Sequence, residues 1–206
     1  MTSASERRPI VFGVDALEPE PMALAWAADE ADRRGLPLRL LSAFSVTVPV
    51  SAQAHCPVVV VRAPEHITQD PPYVVVGVDG SESSAAAVDV AFDLAARRGP
   101  ALRAVWVWQS QLIARFDEEG AVRTLWRLLA ETTAGRSMSS PDLELTHEVI
   151  RGHPVEELAK ASEHALAIVV GRRGRGGFAG MRLGSVPHGP LHRAHCPVVT
   201  VPRLPS

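Results

Sequence analysis

Residues 166–185 read L-A-I-V-V-G-R-R-G-R-G-G-F-A-G-M-R-L-G-S. The first five are apolar and mostly β-branched, which is typical of a short strand buried on both faces of a parallel sheet. This strand leads directly into a loop that contains Gly171, Gly174 and Gly184. Such a loop can direct several backbone N–H groups toward one small anion, particularly where a helix begins at its end. The stretch therefore predicts an α/β fold with a phosphate-binding loop.

Predicted strands and helices alternate along residues 72–206. Apolar runs predict five strands, at residues 73–78, 101–108, 143–149, 166–170 and 198–201. Capped or amphipathic segments predict helices between them, after Ser81, around residues 122–129, after Pro154 and before Arg193. This alternation indicates a doubly wound parallel sheet, that is, a Rossmann-like α/β fold. Ligands bind such sheets at the carboxyl ends of strands, where Asp79 and Gly171 both lie.

The N-terminal part of the chain repeats the beginning and the end of this unit. R-P-I-V-F-G-V-D at residues 8–15 corresponds to P-Y-V-V-V-G-V-D at residues 72–79, an offset of 64. A-H-C-P-V-V at residues 54–59 recurs at residues 194–199, an offset of 140. The first copy has therefore lost its middle, including any glycine loop. We predict a truncated repeat over residues 1–66 and a complete repeat over residues 72–206.

The truncated repeat contains one predicted helix, at residues 21–33, and three predicted strands, at residues 10–14, 38–44 and 57–61. About sixty residues with so few elements bury too little surface to be stable alone. In addition, the last of these strands would leave an unpaired edge, which invites pairing with another strand. We predict that residues 57–61 join the sheet of the second repeat or of a second chain.

The composition excludes several classes of protein. No run approaches the roughly 18 apolar residues of a membrane span, and the first eight residues lack the apolar segment of a signal peptide, so we expect a cytoplasmic protein without a membrane partner. The net charge of −2 gives no general attraction for nucleic acid.

Individual cysteine, tryptophan and histidine residues are predicted to be structural. Cys56 and Cys196 occupy equivalent repeat positions and are predicted to be buried. Trp106, Trp108 and Trp126 are predicted to lie in the core. Neither the repeat-equivalent His55 and His195 nor the pair His188 and His192 has an acidic residue near in sequence to complete a metal site, so we predict none.

Four functional mechanisms compete for the glycine loop, beside a loop that only turns the chain. A Walker loop needs Gly-x4-Gly-Lys-Ser/Thr, but the chain's only lysine, Lys160, lies in a predicted helix. Residues 174–179 match Gly-x-Gly-x-x-Gly/Ala, but no acidic ribose ligand follows about 20 residues later. An RNA-binding Arg-Gly-Gly tract is a disordered repeat, unlike this single stretch. The spacing Gly-x2-Gly-x9-Gly-Ser, from Gly171 to Ser185, fits phosphate binding at the next helix N-terminus.

With these motifs the chain resembles the universal stress protein family, of the tandem-repeat kind common in actinobacteria. The resemblance is carried by V-V-V-G-V-D-G-S-E-S-S from Val74, by G-H-P-V-E-E-L from Gly152, and by the loop spacing through to H-C-P-V-V-T-V. It implies a fold like that of the adenine nucleotide alpha hydrolases and a stress-response module that binds ATP, with or without Mg²⁺. It also implies a homodimer through the last strand, Val198–Val201.

The resemblance further implies which residues contact the nucleotide. Asp79 and Val107 would contact adenine or ribose, whereas ribose and phosphates would lie against the loop glycines and the helix that follows. The full cofactor-binding set is Asp79, Gly80, Val107, Gly171, Gly174, Arg175, Gly184, Ser185 and Val186. Pro187 stands where the family usually has serine or threonine, and because it lacks an N–H we expect weaker binding of the outer phosphates. The first repeat has no loop, so we expect it to bind no nucleotide.

The sequence assigns no catalytic residue. No nucleophile and general base stand at a recognisable spacing, and no carboxylate stands beside Ser185 to hold a metal. The preferred hypothesis is therefore a regulatory protein that binds ATP without obligate turnover. The alternatives are a slow ATPase or nucleotidyl-transfer enzyme of the same fold, and a dimerisation scaffold that binds no nucleotide.

Overall fold

The computed structural model describes residues 10–14, 21–42, 50, 53–54, 56–61, 70–98, 101–109, 118–137, 140–174 and 193–202. The chain divides into two compact units, residues 1–50 and residues 51–206. The smaller unit has two parallel strands, β1 (Ile10–Val14) and β2 (Leu38–Ser42), and the helix α1 (Pro21–Arg34) between them. These elements match the first part of the predicted truncated repeat.

The larger unit contains six strands and three helices within the described residues. The strands are β3 (Val58–Val60), β4 (Tyr73–Gly77), β5 (Ala101–Trp108), β6 (Glu144–Arg151), β7 (Ala167–Gly171) and β8 (Val198–Val201). The helices are α2 (Glu82–Arg98), α3 (Glu118–Ser137) and α4 (Pro154–Ala161). The strands form one sheet in the order β3-β8-β7-β4-β5-β6, and every pair is parallel except β3 with β8. The predicted doubly wound, Rossmann-like α/β fold is confirmed.

The strand order reverses between β4 and β7. From β4 the chain proceeds to β5 and β6 on one side of the sheet, and then crosses to β7 and β8 on the other. In the register of the sheet, Gly77 lies beside Val105 of β5 and beside Val170 of β7. The carboxyl ends of these three strands therefore meet at one edge, which is where a doubly wound sheet binds its ligands.

The central strands are apolar because helices or loops cover both of their faces. Val74, Val75 and Val76 of β4 are fully buried, as the β-branched run predicted for a parallel sheet. The inward face predicted for α2 is also confirmed, since its members are all buried: Ser84, Val88, Phe92 and Ala95. Full burial of a valine or phenylalanine side chain, such as Val88 or Phe92, contributes about 1.5–3 kcal/mol relative to exposure, so the packing of α2 on the sheet stabilises the fold.

The predicted core is wrong at Trp126. Trp106 and Trp108 are buried, but the Trp126 side chain is 43% exposed. The helical spacing that placed Trp126 inward is correct for Leu129, which is fully buried three residues later. An apolar stripe shows which face of a helix turns inward, but not how much of that face packs against a neighbouring element. In α3 the packed part of this face includes Leu129 but leaves Trp126 partly exposed.

The strand predicted at residues 57–61 joins the sheet, as β3, in an antiparallel pair with β8. Of the two predicted alternatives, pairing with the sheet of the second repeat is therefore confirmed. β3 thus has the sequence of the first repeat but belongs to the larger compact unit, which begins at residue 51. The repeat boundaries predicted from the sequence stay a prediction. The predicted homodimer through Val198–Val201 also stays a prediction, and β8 has β7 on one side and β3 on the other.

The two cysteines differ in burial although their sequence contexts are the same. Cys196 is buried, as predicted, but Cys56 is exposed, so the prediction is wrong for Cys56. Cys196 precedes β8, which lies inside the sheet, whereas Cys56 precedes β3, which is the outermost strand of the sheet.

No helix in the described part of the chain has both the length and the apolar character to cross a membrane.

The difference in burial between Cys56 and Cys196 predicts the reactivity of the two thiols. Burial raises the pKa of the Cys196 thiol to about 11. At a pH near 8 roughly one Cys196 thiol in a thousand is then ionised, and the thiolate is the reactive species. We expect a thiol-disulfide reagent at this pH to titrate Cys56 alone in the folded protein, and both cysteines in denaturant. The Cys56→Ser variant should react only after unfolding, and rapid reaction of this variant in the folded state would contradict the prediction.

Candidate functional site

Asp79 follows β4 by two residues, at the edge where the strand order reverses. The next residue, Gly80, has a φ of 76°, a left-handed conformation that glycine adopts without strain. This turn allows the backbone N–H of Ser81 to donate to Asp79 Oδ1 at 3.0 Å. The hydrogen bond holds the carboxylate within its own turn, as aspartate does in many tight turns. Asp79 is thus presented in one orientation at the carboxyl edge.

Ser81 connects this turn to the beginning of the glycine loop. Its hydroxyl oxygen accepts the backbone N–H of Ser84 at 3.1 Å and so caps α2. The same hydroxyl donates to the backbone carbonyl oxygen of Arg173 at 3.2 Å. The sequence indicated Ser81 only as turn and cap chemistry. Its contact with Arg173 links segments that are 92 residues apart, and no local pattern could have revealed it.

Gly174 lies directly against the Asp79 carboxylate. A Cβ atom added at Gly174 would lie 2.5 Å from Asp79 Oδ2, closer than real Cβ contacts allow. A side chain at position 174 would therefore require the Asp79 carboxylate to move away from the loop backbone. Two residues that the sequence assigned to one site, from the ends of β4 and β7, are adjacent.

Gly171 makes a different close approach. A Cβ atom at this position would lie 2.7 Å from the carbonyl carbon of Ser83 and 2.8 Å from the backbone nitrogen of Ser84. Both atoms belong to the first turn of α2, so the end of β7 packs on the backbone of that helix. The sequence indicated Gly171 as a ligand-lining residue. The structure gives it a packing role as well, since any side chain here would displace α2.

Val107 lies at the same edge of the sheet. It is two residues beyond Val105, which pairs with Gly77, and Asp79 is likewise two residues beyond Gly77. Val107 is half-buried and packs against the core cluster that contains Leu158 of α4. It therefore offers partly exposed apolar surface beside the turn that carries Asp79.

Two arginines follow Gly171, and they are placed differently. The backbone N–H of Arg172 donates to Val201 of β8 at 2.7 Å, and its Nη1 donates to the carbonyl oxygen of Ala54 at 2.6 Å. Arg172 is therefore directed toward β8 and the segment before β3. The side chain of Arg173 is exposed and brings positive charge to the edge that carries Asp79 and Gly174.

Four residues of the predicted set lie outside the described residues: Arg175, Gly184, Ser185 and Val186. Pro187 lies outside them as well. Within the ranges that the structure describes, no three histidine, cysteine, aspartate or glutamate side chains are grouped to hold a metal ion. His147 of β6 has its Nε2 2.7 Å from the Thr133 hydroxyl of α3, and burial lowers the pKa of this histidine.

Comparison with known proteins decides the family. The family model described as the Universal stress protein family matches residues 73–202. The chain belongs to the universal stress protein family. The match covers β4 to β8 and all of the described site residues, so the resemblance to the family is confirmed. The tandem-repeat detail stays a prediction.

Curated members of the universal stress protein family support this conclusion. The chain is 38% identical to universal stress protein Rv2623 of Mycobacterium tuberculosis over 168 residues. This match covers 79% of the chain and 56% of the relative. It is 39% identical over 160 residues to universal stress protein Rv2005c of the same organism, covering 75% of this chain and 54% of the relative. The chain thus spans about half the length of the curated relatives it matches.

Solved structures of universal stress proteins show the same fold. One of them, described as a complex with cAMP, is 28% identical with a TM-score of 0.50 and covers 66% of this chain and 99% of its own. A universal stress protein from Archaeoglobus fulgidus has a TM-score of 0.60 at 17% identity, and covers 94% of this chain and 88% of its own. At that identity the likeness concerns the fold alone.

Proposed function

We propose that this universal stress protein is a regulatory protein that binds an adenine nucleotide, ATP in particular, at the carboxyl edge between β4 and β7. The observation that carries the proposal is the close approach of the Asp79 carboxylate to Gly174, where an added Cβ atom would lie 2.5 Å from Asp79 Oδ2. A fixed carboxylate can accept hydrogen bonds from ribose hydroxyls, and backbone without side chains can approach phosphates. The solved family member in complex with cAMP, at 28% identity, supports an adenine nucleotide as the ligand class.

The described residues fit such a ligand on both sides. Asp79 would accept hydrogen bonds from the ribose, and the exposed surface of Val107 would lie against the adenine base. Gly174 would leave space for the sugar and the inner phosphates, and Arg173 would attract their negative charge. The outer phosphates would be held by the remaining members of the predicted set: Arg175, Gly184, Ser185 and Val186. Mg²⁺, where present, would be bound by the phosphates.

The proposed role is occupancy without obligate turnover. In the turn after β4, Asp79 Oδ1 already accepts the N–H of Ser81. This arrangement positions a ligand, whereas hydrolysis requires a base that is directed at a water molecule.

A cytoplasmic location and a homodimer through Val198–Val201 are further parts of the proposal. A dimer at the outer edge of β8 requires β3 to leave that edge.

The first experiment identifies the ligand and its fate. The purified protein is denatured with acid, and any released nucleotide is identified by chromatography. The stripped protein is then titrated by calorimetry with ATP, ADP, AMP and cAMP, each with Mg²⁺, and ADP formation is followed over hours. We expect binding without steady ADP formation. A folded protein that binds none of the four would contradict the proposal, and steady turnover would favour the enzyme.

The Asp79→Asn variant should bind ATP about tenfold more weakly than the parent. The change keeps an oxygen that can accept the N–H of Ser81, but it removes the charge, and a charge-assisted hydrogen bond contributes about 1.5–3 kcal/mol. The measurement is the dissociation constant from calorimetry. Asp142→Asn is the matched control, because Asp142 is exposed and precedes β6, at the opposite edge of the sheet. Equal affinities in the two variants would exclude Asp79 from the site.

A further inference from the structure

Arg172 joins the beginning of the glycine loop to the segment before β3. Its backbone N–H donates to the carbonyl oxygen of Val201 in β8 at 2.7 Å. Its Nη1 donates to the carbonyl oxygen of Ala54, which lies four residues before β3, at 2.6 Å. The second bond has a charged donor, so it is stronger than a bond between neutral groups.

The direction of β3 brings its beginning to the edge of the sheet that carries the site. Val58, the first residue of β3, lies opposite Thr200, which is one residue before the end of β8. The Thr200 hydroxyl also donates to the carbonyl oxygen of Val58 at 3.5 Å. We call Ala54 together with residues 56–60 the β3 arm. The arm is held along β8 by its strand and at its beginning by Arg172.

The side chain of Arg172 is not explained by stability. Its Nε is shielded from solvent and has no hydrogen-bond partner within the residues that the structure describes. Burial, and then the neighbouring charge of Arg173, lower the pKa of Arg172. A buried donor without a partner destabilises a fold, and a methionine of similar length would fill the space without that cost. The guanidinium therefore indicates a role in function.

The two residues that follow Arg172 contact the turn that carries Asp79. The carbonyl oxygen of Arg173 accepts the Ser81 hydroxyl at 3.2 Å. Gly174 lies where an added Cβ atom would be 2.5 Å from Asp79 Oδ2. Two residues of chain span at most about 7 Å, and each peptide unit is planar, so few dihedral angles separate Arg172 from Gly174. A shift of Arg172 therefore changes the distance between Gly174 and Asp79.

We propose that Arg172 is a positioning residue that couples the docking of the β3 arm to the affinity of the nucleotide site. The inference rests on the proposed function, since the coupled ligand is the adenine nucleotide. With the arm docked, the bond to Ala54 holds the start of the loop and keeps Gly174 close to Asp79. With the arm detached, the guanidinium loses this acceptor and the start of the loop shifts. Coupling is reciprocal, so the nucleotide strengthens the docking of the arm by the same factor.

Hydrogen exchange tests the coupling in the unmodified protein. The amides of β3 exchange when the arm opens from β8, and a coupled ligand lowers the open fraction. We expect saturating ATP with Mg²⁺ to slow this exchange about tenfold, which is about 1.4 kcal/mol and close to the smallest contribution of a charge-assisted hydrogen bond. The amino-terminal half of β6, at the other end of the strand order, is the internal reference and should not change.

The Arg172→Met variant should lose the coupling. We expect it to bind ATP about tenfold more weakly than the parent, and ATP should no longer slow the exchange of β3. Arg127→Met is the matched control, because Arg127 is an exposed arginine whose ion pair with Glu131, at 3.6 Å, lies within α3. It should change neither quantity. An Arg172→Met variant in which ATP still slows β3 exchange tenfold overturns the proposal.

A double-mutant cycle separates positioning from simple attraction between Arg172 and the phosphates. Val59→Pro with Val60→Pro removes two successive N–H groups, one of which faces β8, and so detaches the arm without changing any charge. This variant should also bind ATP about tenfold more weakly, whereas Val59→Thr with Val60→Thr keeps strand propensity and should bind like the parent. Adding Arg172→Met to the proline variant should then have no further effect. A further tenfold loss would show that the charge acts directly, and overturns the proposal.

The outcomes distinguish this inference from the proposed function. A parent that gives no heat with any adenine nucleotide contradicts both. A parent that binds ATP, but whose β3 amides exchange equally with and without it, overturns the coupling alone. If the proline variant does not fold, the exchange measurements on the parent and on Arg172→Met decide, because neither protein has an altered β3.

Discussion

Replacing Gly174 by valine should weaken the binding of ATP at least a hundredfold, while the free energy of unfolding changes by about 1 kcal/mol or less. A Cβ atom at this position would lie 2.5 Å from Asp79 Oδ2, so the carboxylate and the loop backbone must separate. The loss corresponds to about 2.7 kcal/mol, which is one or two charge-assisted hydrogen bonds. Stability is preserved because the atom that must move is the end of a side chain at the edge of the sheet. Calorimetry and thermal unfolding measure the two quantities.

A double-mutant cycle tests the reason for this effect. Asp79→Ala removes the carboxylate that Gly174→Ala would displace, so the two changes in unfolding free energy should not add. Additive values would show that the side chain at position 174 does not act through Asp79. A Gly174→Val variant that folds and binds ATP like the parent would exclude Gly174 from the site.

The Gly171→Ala variant should lose about 2–3 kcal/mol of unfolding free energy. Its Cβ atom would lie 2.7 Å from the carbonyl carbon of Ser83, and a helix backbone cannot turn aside as a side chain can. The matched control is Gly135→Ala in α3, where an added Cβ atom meets nothing within 4 Å. That change should stabilise the protein by about 0.5–1 kcal/mol, because alanine is the better helix former.

Urea denaturation followed by circular dichroism measures both glycine variants. Opposite signs for Gly171→Ala and Gly135→Ala are expected, and equal changes would show that β7 does not pack on α2 as described. Taken with Gly174→Val, the variants separate two functions of the loop. Gly171 holds the sheet to the helix, whereas Gly174 leaves the carboxylate accessible to a ligand.

The fold could be read from the sequence because its strands are apolar runs bounded by turn residues. The predicted bounds of Ala101–Trp108 and Val198–Val201 match the structure in full, and helix α2 ends where two arginines precede a glycine. Part of the site followed from the topology alone. Asp79 and Gly174 come from strands that are neighbours at the point of reversal, so the rule for doubly wound sheets brought them together.

The sequence could not show how much of each side chain a neighbouring element would bury. Cys56 and Cys196 have the same neighbours in sequence, but only one of them lies inside the sheet. Trp126 is on the correct face of its helix, but beyond the part that is packed. The bond from Ser81 to Arg173 joins two loops through a backbone carbonyl, and a carbonyl has no sequence signature. Long-range contacts of this kind require coordinates.

The covalent path from residues 1–50 into the larger unit passes through β3. Tension applied to the N-terminal unit would therefore reach the three residues of β3 before it reaches β8, which is held to β7 by four paired residues. β3 is the shorter attachment, so it would detach first and leave the parallel pair of β8 with β7 in place. Under mechanical load the sheet would therefore open stepwise, from its outermost strand inward.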